Sequence, residues 1–347
     1  MARHKRELTP EEIAALPTTP PRRGNKPWRT PQGAVIWSSK KTWKQALRKD
    51  WRLYSLCLLP LIYLLVFQYV PLIGSVIAFR RYQAGSAFPY NIIGESWKGL
   101  TYVTQFLHSP QFWGVFNNTV IIAAYTLVFT FPLPIILALL LNELRSRSFK
   151  RTVQTISYLP HFMSVVLIAG LVLQLTLSNG LINEILLKIH LISQPLSFQQ
   201  GPQYFRAIYV ISTVWQTTGW GTILYLAALT NVDEQLYEAS AIDGASRWRQ
   251  TLHVTLPGIR PTIVVLLVLN IGSFLNVGWE KIYLMLTDPW KSTGDVLSTY
   301  LIRVGLFGQP QQLSYATAIG LFQSLIGLVL VIAANTVSRR LTESSLW

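Results

Sequence analysis

Between Leu236 and Pro261 the chain reads LYEASAIDGASRWRQTLHVTLPGIRP. Glu238, Asp243, Arg247, Arg249 and Arg260 are gathered there among small residues. Just downstream, Asn270, Ser273 and Asn276 recur every three residues, near one helical face, and Glu280 follows them. Upstream stand Trp215, Gln216 and Trp220. These groups offer ion pairing, hydrogen bonding and aromatic contact. The motifs of bond-making chemistry are missing. There is no G-x-x-x-x-G-K-S/T to cradle phosphates, no H-E-x-x-H, no C-x-x-C and no G-x-S-x-G. The five histidines are scattered, with His161 and His253 near expected membrane boundaries, where structural roles are the commoner ones. The single cysteine, Cys57, rules out an intrachain disulfide and argues against a Cys-rich metal site.

The elements that must position these residues are membrane-spanning. Half of the 347 residues are hydrophobic and only 13% are charged, against about 25% in a soluble domain. A helix crosses the hydrocarbon core with roughly 20 apolar residues. Six runs qualify: Leu53–Phe79, Asn118–Leu141, Val153–Leu177, Ala207–Leu229, Thr262–Trp279 and Ala316–Val337. Runs this continuous are helical rather than the alternating segments of a barrel. The expected fold is an all-α membrane protein of six transmembrane helices, residues 53–337, with one elaborate cytoplasmic loop at residues 231–261.

Lys and Arg set the orientation. Thirteen of the thirty lie in residues 1–52, four in Asn142–Thr152, three in the loop before the fifth run and two in the tail. That places twenty-two on one side and eight on the other. Both termini are therefore expected in the cytoplasm, with residues 338–347 a short tail. The net charge of +15 follows from topology and attraction to anionic lipid, and no nucleic-acid-binding motif accompanies it. Residues 1–35, rich in Pro, Arg and Lys, suit a disordered tail. Trp43, Leu47, Trp51 and Tyr54 at helical spacing suit a helix in the membrane interface, or a charged extension of the first span. The first apolar run, behind so long a basic leader, does not read as a cleaved signal peptide. Outside, the aromatic-rich Arg80–Asn117 connection suits an interfacial belt or a contact surface. The Ser178–Tyr204 loop carries a stretch, LINEILLKIHLI, fit for a short helix.

Within the charged loop, Asp233 and Glu234 suit a helix start, where unpaired N–H groups favour negative charge. The helix should run from Glu234 to Ile242, and Gly244 falls where a left-handed cap is wanted. Ala239, Ser240 and Ala241 give it a low profile. A further turn, Ser246–Leu252, should follow, ended by Leu256-Pro257, with Pro261 opening the fifth span. Such a clamped surface helix suits docking to a cytoplasmic partner, or is a solvated loop without one.

The loop resembles the EAA motif of the permease subunits of bacterial ATP-binding-cassette importers. That motif runs E-A-A-x-x-x-D-G, with I-x-L-P downstream. Here it reads Glu238-Ala239-Ser240 through Asp243-Gly244, then Val254-Thr255-Leu256-Pro257, so Ser240 and Val254 are mild departures. Segments such as YLPHFMSVVLIAGLVL and GWGTILYLAALTNVDEQLYEASAIDGA extend the resemblance from about Leu53 onward. They are similar to the carbohydrate-uptake permeases, on the branch that imports oligosaccharides from complex polysaccharides.

The resemblance implies a transport subunit that is no enzyme and binds no cofactor, with ATP and Mg on a partner ATPase. It implies a second, non-identical permease subunit, an extracellular sugar-binding protein, and a place in the bacterial cytoplasmic membrane. Glu238, Ala239, Asp243 and Gly244 would dock the ATPase, and Leu256 and Pro257 would fix the exit. Arg247 and Arg249 are either salt-bridge partners of the ATPase or topology charge. For a sugar pathway, Asn270, Ser273 and Asn276 are candidates, as interhelical hydrogen bonding equally is. Trp215, Gln216, Trp220 and Glu280 are further candidates, against packing, lipid contact or a solvated helix end. The alternatives are a permease for a non-sugar solute, or a secondary carrier. The latter would want an intramembrane ionisable relay or paired halves, and neither is found in the sequence.

Overall fold

The computed structural model describes residues 51–83, 85, 87–308 and 312–342, together with Trp28–Arg29 and Val35–Ile36 in the N-terminal tail. Those last two pairs form β1 and β2, a two-residue antiparallel ladder. The rest of the tail expected to be disordered, and the interfacial helix before Trp51, lie outside the described residues. The chain falls into two compact units, divided between Ile73 and Gly74.

From the first unit, α1 (Trp51–Leu64) passes through a π turn, Leu65–Tyr69, into α2 (Val70–Gly74), whose last residue begins the second unit. A 3-10 turn, Ser75–Phe79, comes next, followed by α3 (Tyr90–Ile93) and α4 (Thr101–Leu107). Next come α5 (Phe112–Thr130) and α6 (Pro132–Glu143), which together make one long apolar helix of 32 residues. Then follow α7 (Arg147–Tyr158), α8 (Val165–Leu175), α9 (Leu181–Lys188) and α10 (Phe205–Leu229). The charged loop forms α11 (Glu234–Ile242) and α12 (Arg247–Gln250). The chain closes with α13 (Leu256–Gly272), α14 (Trp279–Met285), α15 (Lys291–Gly294), α16 (Leu297–Gly305) and α17 (Leu313–Thr342). The last helix runs five residues beyond the Val337 expected as its end.

Four helices are long and apolar enough to cross a bilayer: Tyr54–Phe79, Phe112–Glu143, Arg247–Gly272 and Leu313–Arg340. A bent pair, Arg147–Phe162 with Val165–Leu175, makes five if counted as one span. The helix α10 has 25 residues, but Thr213, Gln216, Thr217 and Thr218 make it less apolar than the others.

Two expected spans are broken rather than continuous. In the third, Pro160 sits in a 3-10 turn, Met163 is extended, and Ser164 caps α8 by accepting from the Leu167 N–H. The two halves meet at 101°. In the fifth, α13 stops at Gly272, and turns around Ser273 and Phe274 precede α14. Leu256-Pro257 and Pro261, expected to divide the loop from the span, interrupt nothing. A π turn, Thr251–Thr255, leads directly into α13, so Arg247–Gly272 is one 26-residue helix. The wider turn relaxes the fit around a proline that lacks its N–H and would crowd a regular α turn.

Three apolar clusters hold the second unit together. One joins α5, α8, α10 and α14 through Ile122, Ile168, Phe205, Tyr209 and Ile282. Another joins α4, α5, α16 and α17 around Phe106, Phe112, Tyr300 and Tyr315. The third, Ala138, Tyr225, Leu229 and Ile259, joins α6, α10 and α13. Where α10 crosses α7, Gly219 is required: a Cβ there would lie 2.0 Å from the Ser157 carbonyl oxygen. The outer loops are tied by hydrogen bonds. Trp290 donates from Nε1 to the carbonyls of Phe198 (3.0 Å) and Gly201 (3.1 Å), and Asn183 bridges Leu177 and Leu196.

Candidate functional site

The two residue groups singled out in the sequence occupy opposite ends of the Arg247–Gly272 helix. At its N-terminal end stands α11. Asp233 caps α11 by accepting from the Gln235 N–H at 2.9 Å, as a short acidic side chain at a helix start should. At the other end Gly244 has φ +73°. The Ala245 N–H reaches the Ser240 carbonyl at 2.9 Å, and the Gly244 N–H reaches that of Ala241 at 3.1 Å. This is a Schellman cap, with glycine where the left-handed backbone is needed. The helix has the bounds expected of it.

One face of α11 is fastened to the helix that follows. Tyr237 donates its hydroxyl to Thr255 Oγ1 at 3.0 Å, and Gln250 Nε2 donates to Ser240 Oγ at 3.1 Å. The sequence marked Ser240 only as a small residue. Its hydroxyl is a clasp, which an alanine could not provide. The opposite face holds Glu238, Ala239 and Asp243, all exposed, beside Ile242, which is 87% exposed. Leu256 packs into the apolar cluster under the loop, and Pro257 is exposed. Arg247 pairs with Glu143 Oε2 at the end of α6, at 2.8 Å. An intrachain partner therefore accounts for one of the two arginines considered for an external ion pair; Arg249 is exposed.

At the other end of the helix lies a cavity of about 480 Å³. It brings together Gln216, Asn270, Ser273, Asn276 and Glu280. Two tryptophans stand apart from it. Trp215 lines a separate apolar cleft with Leu171 and Ile208. Trp220 stacks on His161, ring centroids 4.6 Å apart and planes at 3°, and only His161 of that pair reaches the cavity. Asn270 and Ser273 do not hydrogen-bond to another helix among the described residues. They donate back to their own, to Leu266 (2.7 Å), Leu269 (3.4 Å) and Asn270 (3.2 Å) carbonyls.

Sequence reading missed Lys281, which lines the cavity and is 6% exposed. Its Nζ donates to Thr213 Oγ1 at 3.2 Å and Gln216 Oε1 at 3.1 Å, and lies 5.6 Å from the Tyr209 ring centroid. Thr213, Gln216 and Thr217 fall on one face of α10 at helical spacing, a signal available in the sequence. The cavity thus offers amides, hydroxyls, the Lys281 ammonium, the Glu280 carboxylate and the Trp279 ring. It offers recognition of a polar solute.

A family described as the binding-protein-dependent transport system inner membrane component matches residues 130–343. Protein LplB of Bacillus subtilis (strain 168) is 41% identical over 308 residues, covering 88% of this chain and 94% of its own. The polygalacturonan/rhamnogalacturonan transport system permease protein YteP of the same organism is 41% identical, covering 90% of this chain and 96% of its own. Among solved structures, a bacterial ABC transporter involved in the import of the acidic polysaccharide alginate contains a chain 40% identical to this one, with a TM-score of 0.77, over 86% of this chain and 99% of that one. A second structure holds the bacterial alginate ABC transporter with an alginate pentasaccharide-bound periplasmic protein; there the match is 38% identical, again at 0.77, over 88% and 100%. This chain is a membrane transport subunit and belongs to the family of binding-protein-dependent transport system inner membrane components.

Proposed function

We propose that this chain is a permease subunit of an ATP-binding-cassette importer that moves oligosaccharides delivered by an extracellular binding protein. The observation that carries this reading is the unbroken Arg247–Gly272 helix, with an exposed docking face at one end and a polar cavity at the other. At 1.5 Å per residue, Arg247 and Asn270 stand about 35 Å apart along it. The family and the transport named in its relatives' descriptions support the same reading.

Glu238, Ala239, Asp243 and Gly244 form the element that docks into a separate ATPase subunit, with Ile242 as its apolar tip. Leu256 and Pro257 set the exit into the span. ATP and Mg belong to the ATPase, and a second, non-identical permease subunit completes the pathway. Six spans cross the bacterial cytoplasmic membrane: the four apolar helices, the bent pair around Pro160, and α10. Residues 1–52 and 338–347 flank this domain on the cytoplasmic side. Closure of the ATPase pulls the docked helices together, the spans open outward, the binding protein releases its sugar, and hydrolysis returns the spans to the inward-open state. Gln216, Asn270, Ser273, Asn276 and Glu280 meet the sugar on the way. Trp215 and Trp220 act as packing residues.

The test is to tag the chain in its native host, extract it in mild detergent and identify what co-purifies. Recovery of an ATPase and a second permease, and ATP-dependent oligosaccharide uptake by that complex with its binding protein in proteoliposomes, is the expected result. Recovery of the chain alone across several detergents, with uptake driven by a proton gradient, would overturn the reading.

A further inference from the structure

The cavity contains a buried cation that is not ion-paired. Lys281 is buried, yet its Nζ meets only the neutral oxygens of Thr213 and Gln216 and the face of Tyr209. Among the described residues no carboxylate lies within ion-pair distance of it, whereas Arg247 pairs with Glu143, Lys291 with Asp288 and Arg303 with Asp295. Taking a charge out of water without a counterion is costly, and a buried cation is ordinarily paired. Arg303, far more exposed than Lys281, has Asp295 against it. An ammonium has three donors, and two are used here. The third remains for whatever enters the cavity that Lys281 lines. Glu280 also lines the cavity, but it is exposed. It lies about 100° further round the helix, where water weakens its field.

We propose that Lys281 is a specificity-determining residue that receives a carboxylate of the transported oligosaccharide, so that the cavity favours uronate-containing chains over neutral ones. The proposal rests on the oligosaccharide reading above. Thr213 and Gln216 hold the ammonium in place while leaving its charge unbalanced. The amides and hydroxyls of Asn270, Ser273 and Asn276 meet the sugar hydroxyls alongside. The carboxylate supplies the missing counterion and satisfies the third donor, a charge-assisted bond that a neutral sugar cannot make.

The experiment measures direct binding to the assembled transporter in lipid nanodiscs, without its binding protein, so that delivery plays no part. The probes are tetragalacturonate and its carboxyl-reduced counterpart. The wild type should bind the acidic probe at least about tenfold more tightly, the scale of one charged hydrogen bond. In K281Q, which keeps the polar contacts, the preference should collapse to within about twofold with affinity for the neutral probe unchanged. K281R should retain most of it. A wild type that binds both probes equally would overturn the proposal without any variant, and would leave the oligosaccharide reading standing. Equal losses for both probes in K281Q would reduce Lys281 to a structural role and overturn it as well. A wild type that binds neither probe, and takes up neither with ATP and binding protein, would remove the oligosaccharide reading itself, and the proposal with it.

Discussion

Arg247 Nη1 donates to Glu143 Oε2 at 2.8 Å, joining the turn that follows α11 to the C-terminal end of α6. The two residues are 104 positions apart, and their side chains are 65% and 42% exposed. The pair links the α11–α12 loop to a different helix, so a displacement of α11 would reach α6 as well as α13. At that exposure the bond contributes only about 0–1 kcal/mol to stability. Arg247→Ala should leave expression and thermal stability nearly unchanged while raising the ATP hydrolysed per solute moved. The exchange variant Arg247→Glu with Glu143→Arg should bring the ratio back. An unchanged ratio in R247A would show that the contact transmits nothing.

Gly244 offers a second handle. Its φ of +73° is costly for any residue with a Cβ, although nothing lies within 4 Å of where that Cβ would stand. The penalty is therefore backbone strain alone, on the order of 1–2 kcal/mol. Gly244→Val should loosen the Schellman cap and lower coupled uptake, while Gly244→Asn, which tolerates the left-handed region, should remain close to wild type. Comparable uptake in both would refute the capping argument.

The exposed face of α11 predicts a docking defect without a folding defect. Glu238→Lys and Ile242→Asp alter side chains that stand in solvent, so membrane insertion and melting should hold. Recovery of the ATPase with the tagged chain should fall in both, more steeply in I242D because an exposed apolar side chain at an interface centre carries much of the binding. Full recovery in either variant would place the docking surface elsewhere.

At Gly219 the expected outcome is structural. A methyl group there would sit 2.0 Å from the Ser157 carbonyl oxygen, a backbone atom that cannot swing away. Gly219→Ala should force α10 and α7 apart and destabilise by about 1–3 kcal/mol or more. A fall in melting temperature in detergent, measured by intrinsic fluorescence, checks it. Gly114, with nothing near its Cβ position, is the control expected to accept alanine.

Local signals in the sequence read correctly where one backbone rule acted alone. Asp233 and Gly244 bracketed α11 because capping chemistry depends on the few residues around it. Apolar runs were less informative about continuity. The Val153–Leu177 run conceals a 101° bend because Pro160 and Ser164 are too few to lower its hydropathy. Pro257 signalled a stop and Pro261 a fresh start, and one wide turn cancels both. Asn270, Ser273 and Asn276 did share a wall, though the helix ends beneath them. Lys281 escaped because a charge just past an apolar run reads as a solvated helix end. Its burial depends on α10 and Tyr209, which lie some seventy residues away in sequence. Trp215 carried the right chemistry but sits on a face of α10 that lines a separate cleft, and Trp220, one turn on from Gln216, stacks on His161 without lining the cavity itself.

The π turn at Thr251–Thr255 has a geometric consequence for the whole lever. Such a turn accommodates one residue more than an α turn, and one residue corresponds to about 100° of rotation about the axis. The bearing of α12, and of the Arg247–Glu143 clasp, relative to Asn270 at the far end therefore differs by about that angle from what an uninterrupted α-helix of the same length would give. The offset is written into chain length rather than into any side chain. Substitutions along Thr251–Thr255 would preserve this phase, whereas removal of a single residue would turn the handle relative to the blade.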